Sequence, residues 1–520
     1  MTPNEWACTS RNHRHSVSTA SKKFTEGNRL PPSRRSQLRD GPVGAPAQAE
    51  LEIMSDVKMW GKEEFWGLGF EWDPQWLLTP AQKELQKKLI ALCETTLRAN
   101  AVESDANYVY PRKNFEALAS LGLLALNVPK ELGGLGENHL CAAMVVETIA
   151  RYGCPSTAMC YTMHLGATAA ALLRHHDNPI LTDILKRLDK DVLIGTLSYS
   201  DPETGSHFWY PISSKAEAYG DGWKVTKKAS WTTSGGFADW YIVQTTSPGF
   251  AGDYSDLSCF LVTKDEVKAN PSEWDGLGLR GNQSGPIVVE NAILPKDALV
   301  GPIGDGAKSN DEVVDPFFLT CSSACWNGIS LAVIDIAKRH TTRKTHNDVG
   351  MRVADYPTIQ DYVGEAIMDT NACRALDFQM AQALDSVTNN CDWSIHADVD
   401  ALPRSALLHW LWQVKFEAAK NVAHVVDKML HATGGTGFRP ALQIERYLRD
   451  GKAGWVMGPT NEVLRQFVGK ASLLGFGSLD YWNKSINERV LNNEIKKMDD
   501  AEKRALAEKL LAEIQPAKVA

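Results

Sequence analysis

Two changes of hydrophobic period divide this chain of 520 residues and predict an α+β protein. Apolar residues recur at helical spacing from Thr79 to Leu193, short β-rich runs follow to about Val300, and helical spacing returns from Pro316 to about Leu474. The expected organisation is a disordered extension at 1–53, an N-terminal helical domain at 79–193, and a central β domain at 194–305. A C-terminal helical domain at 306–480 and a helical tail at 481–520 complete it.

The extension is Arg- and Ser-rich with little hydrophobic periodicity, which reads as disorder. That bias suits a mitochondrial transit peptide, but Glu5, Glu26 and Asp40 and the lack of an amphipathic helix oppose it, and Met54 is an alternative start. The expected location is therefore the cytoplasm, with the mitochondrial matrix as the alternative. In the first helical block Leu85, Leu89 and Leu92 lie on one face, as do Phe115, Leu118 and Leu121, with turns signalled at Pro129, Gly133-Gly134 and Pro155. The β block contains Ile194–Ser198, Trp223–Val225, Trp240–Val243 and Ile287–Val289, separated by turns such as Gly220-Asp221-Gly222. The second helical block carries Ile329, Ala332, Val333 and Ile336, then Leu407, Leu411, Val414 and Ala418. The Lys- and Glu-rich tail reads as a solvated helix.

Composition excludes several functions. A net charge of −8 argues against dedicated nucleic-acid binding, which usually needs a basic face, and 43% hydrophobic with 23% charged residues is ordinary for a globular protein. No apolar run of about 18 residues free of charges or Gly is evident, so no membrane span is expected. The ten cysteines lack metal-ligand spacing. Cys321 and Cys325 share a helical face without a second ligand pair, and no metal site is expected. Small-molecule chemistry is the expectation.

Four motifs, taken together and in order, resemble the acyl-CoA dehydrogenase superfamily from Thr79 to Leu474. Leu197–Ser206 is similar to the family's Thr-Glu-Pro-x-x-Gly-Ser loop, which implies that Ser200 touches a flavin and Ser206 a thioester ligand. Trp231 and Thr233 match Trp-x-Thr, and period-two alternation sends both side chains to one face of a strand, an aromatic surface beside a donor. Leu279–Ser284 resembles a Leu-Arg-Gly-Ser-x-Ser turn. His431–Phe438 resembles the Gln-x-x-Gly-Gly-x-Gly-Tyr segment that receives FAD from a neighbouring subunit, with Gly434 and Gly435 suited to bring backbone amides close to a pyrophosphate. Glu445-Arg446 and Arg449-Asp450 follow at the family's spacing, with Arg449 implied at the substrate. Arg343, Gln360 and Thr460 fall near further cofactor positions.

The resemblance implies an N-terminal helical domain, a central β domain and a C-terminal four-helix bundle. It also implies FAD, an acyl-CoA or related substrate, a homodimer or homotetramer, and an electron-transferring flavoprotein as electron acceptor. One element is missing. Where many members carry a catalytic glutamate, this chain reads Trp455-Val456-Met457-Gly458-Pro459-Thr460. Some members hold that base on an earlier helix, at a position that falls on Phe318. Asp315 lies one turn before it, and Glu312 three residues earlier again. Asp315 is the candidate base, with a helix cap as the plainer reading. His164 stands where flavin monooxygenases of the superfamily place a histidine, with a core histidine as the plainer reading. α,β-Dehydrogenation of an acyl-CoA is the first expectation. Flavin-dependent monooxygenation, elimination from an acyl-CoA, and a non-catalytic flavoprotein scaffold are the alternatives.

Overall fold

The computed structural model describes residues 72–204, 213–250, 256–475 and 491–513. The extension at 1–53 and Ser206 lie outside the described residues. Six helices come first: α1 Pro80–Leu92, α2 Arg98–Asn107, α3 Arg112–Ala119, α4 His139–Tyr152, α5 Pro155–Leu173 and α6 Pro179–Arg187. Thr79 caps α1 with a capping box closed by Gln82, and Pro80 takes the first helical position, where a missing N–H costs nothing.

The sheet follows as β1 Gly195–Ser198, β2 Lys215–Tyr219, β3 Gly222–Ala229, β4 Trp240–Thr246, β5 Leu257–Thr263, β6 Val267–Ala269, β7 Ile287–Leu294 and β8 Leu299–Val300. Their order is β6-β7-β3-β2-β4-β5-β8, with β1 parallel to β4. Alternation splits β4 and β5 between two cores. Trp240, Ile242, Cys259 and Leu261 join the helical core, while Tyr241, Val243, Phe260 and Val262 join the core of the sheet's other face. Both strands therefore read as continuous apolar runs. Gly195 is required here, since a Cβ would sit 2.3 Å from the Trp240 ring.

The remaining helices are α7 Gly306–Ser309, α8 Asp315–Arg343, α9 Pro357–Val387, α10 Leu408–Gly437, α11 Ile444–Val456, α12 Asn461–Leu474 and α13 Asp500–Glu513. A π-turn, Asn310–Val314, runs α7 into α8. Helix α8 is the axis of the fold, packed by α4, α5, α9, α10 and α11. This corrects the expectation of no long apolar run. Gly306–Arg343 is long and apolar enough to cross a membrane, yet its apolar window is wholly buried among other helices, the position of a core helix. The unusually long connection between Arg343 and Gln360 holds a small ribbon, β9 Thr345–His346 paired with β10 Met351–Arg352.

Candidate active site

Two motifs that lie fifty residues apart in sequence are laced together by hydrogen bonds. The Thr232 N–H donates to Gly285 O at 3.0 Å, Ser234 N–H to Asn282 O at 2.8 Å and Gly235 N–H to Gln283 O at 3.0 Å. The Thr233 and Ser284 hydroxyls meet at 2.9 Å. Leu279, Gln283 and Ser234 all hold positive φ, at 49°, 46° and 63°, so the lacing is maintained against backbone strain, a pattern that concentrates at functional sites. Thr196 Oγ1 donates to Thr233 O at 2.7 Å, and Ser200 Oγ to Trp231 O at 2.9 Å, which joins the loop after β1 to the same cluster. Asp450 of α11 accepts from the Leu279 N–H at 2.6 Å. Burial pushes Asp450 up to about 6, with Arg446 opposing.

The expected strand geometry needs correction. β3 ends at Ala229, so Trp231 and Thr233 lie past the strand, and the chain turns over 233–237. Trp231 is 63% exposed, edge-on to Trp274 at 5.7 Å, whereas Thr233 is 8% exposed. An indole left this open beside a buried hydroxyl pair offers an apolar platform with a donor at its edge, which fits the ring system of a flavin.

The other cofactor candidates lie on the bundle. His431 is exposed, 3.9 Å from Asp427, with the Tyr362 ring 6.2 Å away. Gly434 kinks α10 at φ 56°, ψ −145°, and nothing lies within 4 Å of where its Cβ or that of Gly435 would project. Bare amides in a conformation reserved for glycine fit a pyrophosphate. Gln360 is exposed and donates to Ala354 O at 3.0 Å. Thr460 caps α12, accepting from the Val463 N–H. Arg343 lines a basic cavity of about 550 Å³ together with Arg98, Arg151, Arg339 and Lys344. None of Ser200, Trp231, Thr233 or Thr460 lines that cavity.

Three candidates for the chemistry prove to be committed elsewhere. His164 is a buried strut, with Nε2 2.8 Å from Leu124 O and Nδ1 accepting from the Gly195 N–H at 3.0 Å. Burial lowers it to about 4, so it stays a neutral ring tying the loop before α4 to β1. Arg449 is held by Asp105 and Glu445, which locks α11 to α2 and leaves its guanidinium bound to protein in place of the implied substrate contact. Glu312 is fully buried in an ion pair with Arg404 at 3.0 Å.

Asp315 is not the cap its position before Pro316 suggested. The helix runs into it through the π-turn, and its residue at the capping position, Val314, is helical with no side-chain cap. Its carboxyl is buried, and burial followed by the nearby Asp311 charge holds its pKa well above the ordinary value. It shares a helical face with Phe318.

Sequence reasoning missed what pins the turn that lacks the glutamate. Lys415 of α10, fully buried, places its ammonium 2.9 Å from Gly454 O, 3.2 Å from Met457 O, 2.9 Å from Pro459 O and 3.0 Å from Asn461 Oδ1. One side chain thus fixes the whole turn from α11 to α12. The only signal was a lysine on an otherwise apolar stripe of α10. A second missed group, Glu365, Asp369 and His424, brings ligand atoms within 4.8 Å of one another on the exposed side of the bundle, where Lys428 also pairs with Glu365.

Residues 79–179 match the family model of the acyl-CoA dehydrogenase N-terminal domain, and residues 320–473 that of the C-terminal domain. The probable acyl-CoA dehydrogenase FadE25 of Mycobacterium tuberculosis is 24% identical over 392 residues, covering 75% of this chain and 95% of that protein. The short-chain specific mitochondrial acyl-CoA dehydrogenase of Homo sapiens is 25% identical over 390 residues, covering 74% and 89%. Among solved structures, a glutaryl-coenzyme A dehydrogenase in complex with glutaryl-CoA superposes with a TM-score of 0.68 at 21% identity, over 76% of this chain and 96% of that one. The matched domains and these relatives agree with the architecture and the laced motifs, and the chain belongs to the acyl-CoA dehydrogenase superfamily of FAD-dependent oxidoreductases acting on CH–CH bonds.

Proposed function

We propose that this protein oxidises an acyl-CoA thioester at its α,β bond, with its base on α8 in place of the turn after α11. The lacing of Trp231–Gly235 to Leu279–Gly285 carries the reading, because it builds one rigid, partly open aromatic surface out of two separate motifs. Ser200, Trp231 and Thr233 would hold the flavin ring, and Arg343, Gln360, His431, Gly434, Gly435 and Thr460 are the further candidates for its ADP portion. FAD supplies acceptance of the β-hydride when bound. Trp231 excludes water from one face, and the buried Thr233–Ser284 hydroxyl pair offers a fixed dipole at the edge of that surface.

Asp315 is the group we assign to removal of the α-proton. Burial, followed by the Asp311 charge, holds its carboxyl well above the ordinary value, which makes it a stronger base than an exposed carboxylate. Ser206 remains the substrate contact implied by the resemblance. Asp315→Asn tests the assignment: acyl-CoA-dependent flavin reduction should fall roughly 10²- to 10⁴-fold while flavin content is unchanged. Undiminished reduction removes Asp315 as base.

A second reading, monooxygenation or an elimination, is favoured by one observation. The turn that lacks the glutamate is pinned by a lysine of α10 whose donors are directed to protein acceptors, and the turn itself offers no carboxylate. Flavin that no acyl-CoA reduces, but that oxidises a substrate with oxygen after chemical reduction, supports it. A scaffold does neither.

We also read the protein as a homodimer or homotetramer that passes electrons to an electron-transferring flavoprotein. The glycine-rich segment ends in Phe438, 76% exposed, near the open end of α10, a surface that a second subunit would cover. Relatives come from both a bacterium and mitochondria, which leaves cytoplasm and mitochondrial matrix as the two locations to separate by fractionation.

A further inference from the structure

Nine of the ten cysteines fall among the described residues, and eight of those nine thiols are pushed up from the ordinary value, with burial as the leading cause; Cys93, Cys259 and Cys373 reach about 12. Cys391 is the exception. It follows α9 in a run of three left-handed residues, Asn389, Asn390 and Cys391, at φ 47°, 64° and 63°. Asn accepts that conformation and a cysteine does so rarely. The strained backbone holds Cys391 against a buried polar network centred on Arg404.

Arg404 is fully buried, and each arm of its guanidinium is used. Nη2 donates to Cys391 Sγ at 3.7 Å, Nε to His139 Nε2 at 3.0 Å, and Nη1 to Glu312 Oε1 at 3.0 Å with His396 Nε2 at 2.9 Å. Asp385 of α9 stands 2.7 Å from His139 Nδ1. The Trp393 ring covers the guanidinium at 4.7 Å. Burial acts to raise the Cys391 thiol, and the His139 ring and Arg404 guanidinium outweigh it, so the group sits below the ordinary cysteine value. The remaining titratable groups around it are Asp392 on its own loop and Lys130, Glu131, His175 and His176 across a cavity.

That cavity holds about 350 Å³ and opens outward, with Cys391, Asn127, Lys130, His175, His176 and Trp393 among its walls. Asn127 is 3% exposed; its Nδ2 donates to Glu137 O at 2.8 Å, but its Oδ1 is buried with no hydrogen-bond partner. A buried acceptor left unpaired is expensive unless something with a donor visits it. Cys391, with a cationic donor on its sulfur, and Asn127, with an unpaired acceptor, therefore line one cavity.

We propose that Cys391 is a peroxide-reactive modification site, with the cavity admitting hydrogen peroxide or a small hydroperoxide to its sulfur. The O–H of the peroxide suits Asn127 Oδ1. Attack of the thiolate on one peroxide oxygen forms the S–O bond and breaks the O–O bond. Sulfur loses two electrons, the attacked oxygen keeps its hydrogen, and the departing hydroxide combines with the proton that the thiol released to solvent on ionising and leaves as water. The product is a sulfenic acid. Asp315 and the cofactor candidates take no part; Glu312, bound to Arg404, is the one earlier candidate that the network includes.

The test treats the purified full-length protein with hydrogen peroxide at pH 7, traps sulfenic acid with dimedone and maps the adduct by peptide mass. The expected result is labelling of the Cys391 peptide about tenfold or more above any other cysteine, Cys8 included. Cys391→Ser should abolish that adduct and keep the flavin spectrum. Arg404→Gln should slow labelling about tenfold; because it also removes the anchor of the network, the parent protein is alkylated with iodoacetamide across pH as well. A half-point for Cys391 below about 8 supports the site, against an ordinary thiol near 8.5. Labelling spread evenly over the cysteines, or a Cys391 half-point at or above about 8.5, overturns it.

Discussion

Replacing Lys415 by Met tests what holds the turn where the glutamate is absent. The substitution keeps much of the side-chain volume and removes the ammonium, leaving Gly454 O, Met457 O, Pro459 O and Asn461 Oδ1 without their shared donor. An ammonium has three donors for these four acceptors. Each charge-assisted bond contributes roughly 1.5–3 kcal/mol, and a buried acceptor left unmade costs roughly 1–3 kcal/mol. Burying the charge opposes this, since burial lowers the Lys415 pKa to about 7 while Glu462 acts weakly the other way. The net expectation is a loss of about 2–4 kcal/mol near pH 7.

The pH dependence fixes the sign. A lysine whose pKa is depressed on folding is protonated in both states below about 7, and between about 7 and 10.5 the unfolded chain keeps a proton that the folded chain has released. Stability from this group therefore rises with pH across that window and is lost as pH falls through about 7. The gap between the parent and Lys415→Met should widen by up to about 1.4 kcal/mol per pH unit above 7. Urea midpoints at fixed protein concentration, from pH 6 to 9, measure it, with hydrogen exchange at the α11–α12 junction as the local readout. A loss under about 1 kcal/mol, with unchanged exchange at the junction, would refute the pinning role. A gap that stays flat from pH 7 to 9 would show that the four acceptors keep the ammonium charged.

Three further outcomes follow from the geometry. His164, lowered by burial to about 4 from 6.5, contributes stability that is present above about 6.5 and lost as pH falls through about 4; His164→Gln should flatten acid unfolding in that window and leave turnover per bound flavin unchanged, and a large loss of turnover would restore it as a catalyst. Asp450, raised to about 6, has the opposite sign: its contribution is full below about 4 and lost as pH rises through 6, so Asp450→Asn should flatten the stability curve between pH 4 and 6, as pH-dependent melting would show. Trp231→Ala, which removes a mostly exposed side chain, should weaken FAD retention on gel filtration while shifting the melting temperature of flavin-free protein by under about 2 °C; retained FAD would remove the indole from the flavin surface.

Hydrophobic period alone placed the β block between two helical blocks, because burial on one face forces a repeat of 3.6 or 2 into the sequence wherever an element packs. Trp231, Thr233, Gly434 and Gly435 were legible as types, an aromatic, a hydroxyl and side-chain-free backbone, each suited to a flavin by its own chemistry. Their relations were not. The backbone that leaves Trp231 exposed and Thr233 buried depends on bonds to Asn282, Gln283 and Gly285, and such long-range pairing leaves no local mark. His164 and Arg449 looked available because a sequence shows a polar group without showing which backbone oxygen or carboxylate already satisfies it. Lys415 and Arg404 escaped notice for the converse reason. A charge on an apolar stripe reads as a solvated interruption until the fold closes acceptors around it, and only tertiary structure decides whether a charge is buried and paired.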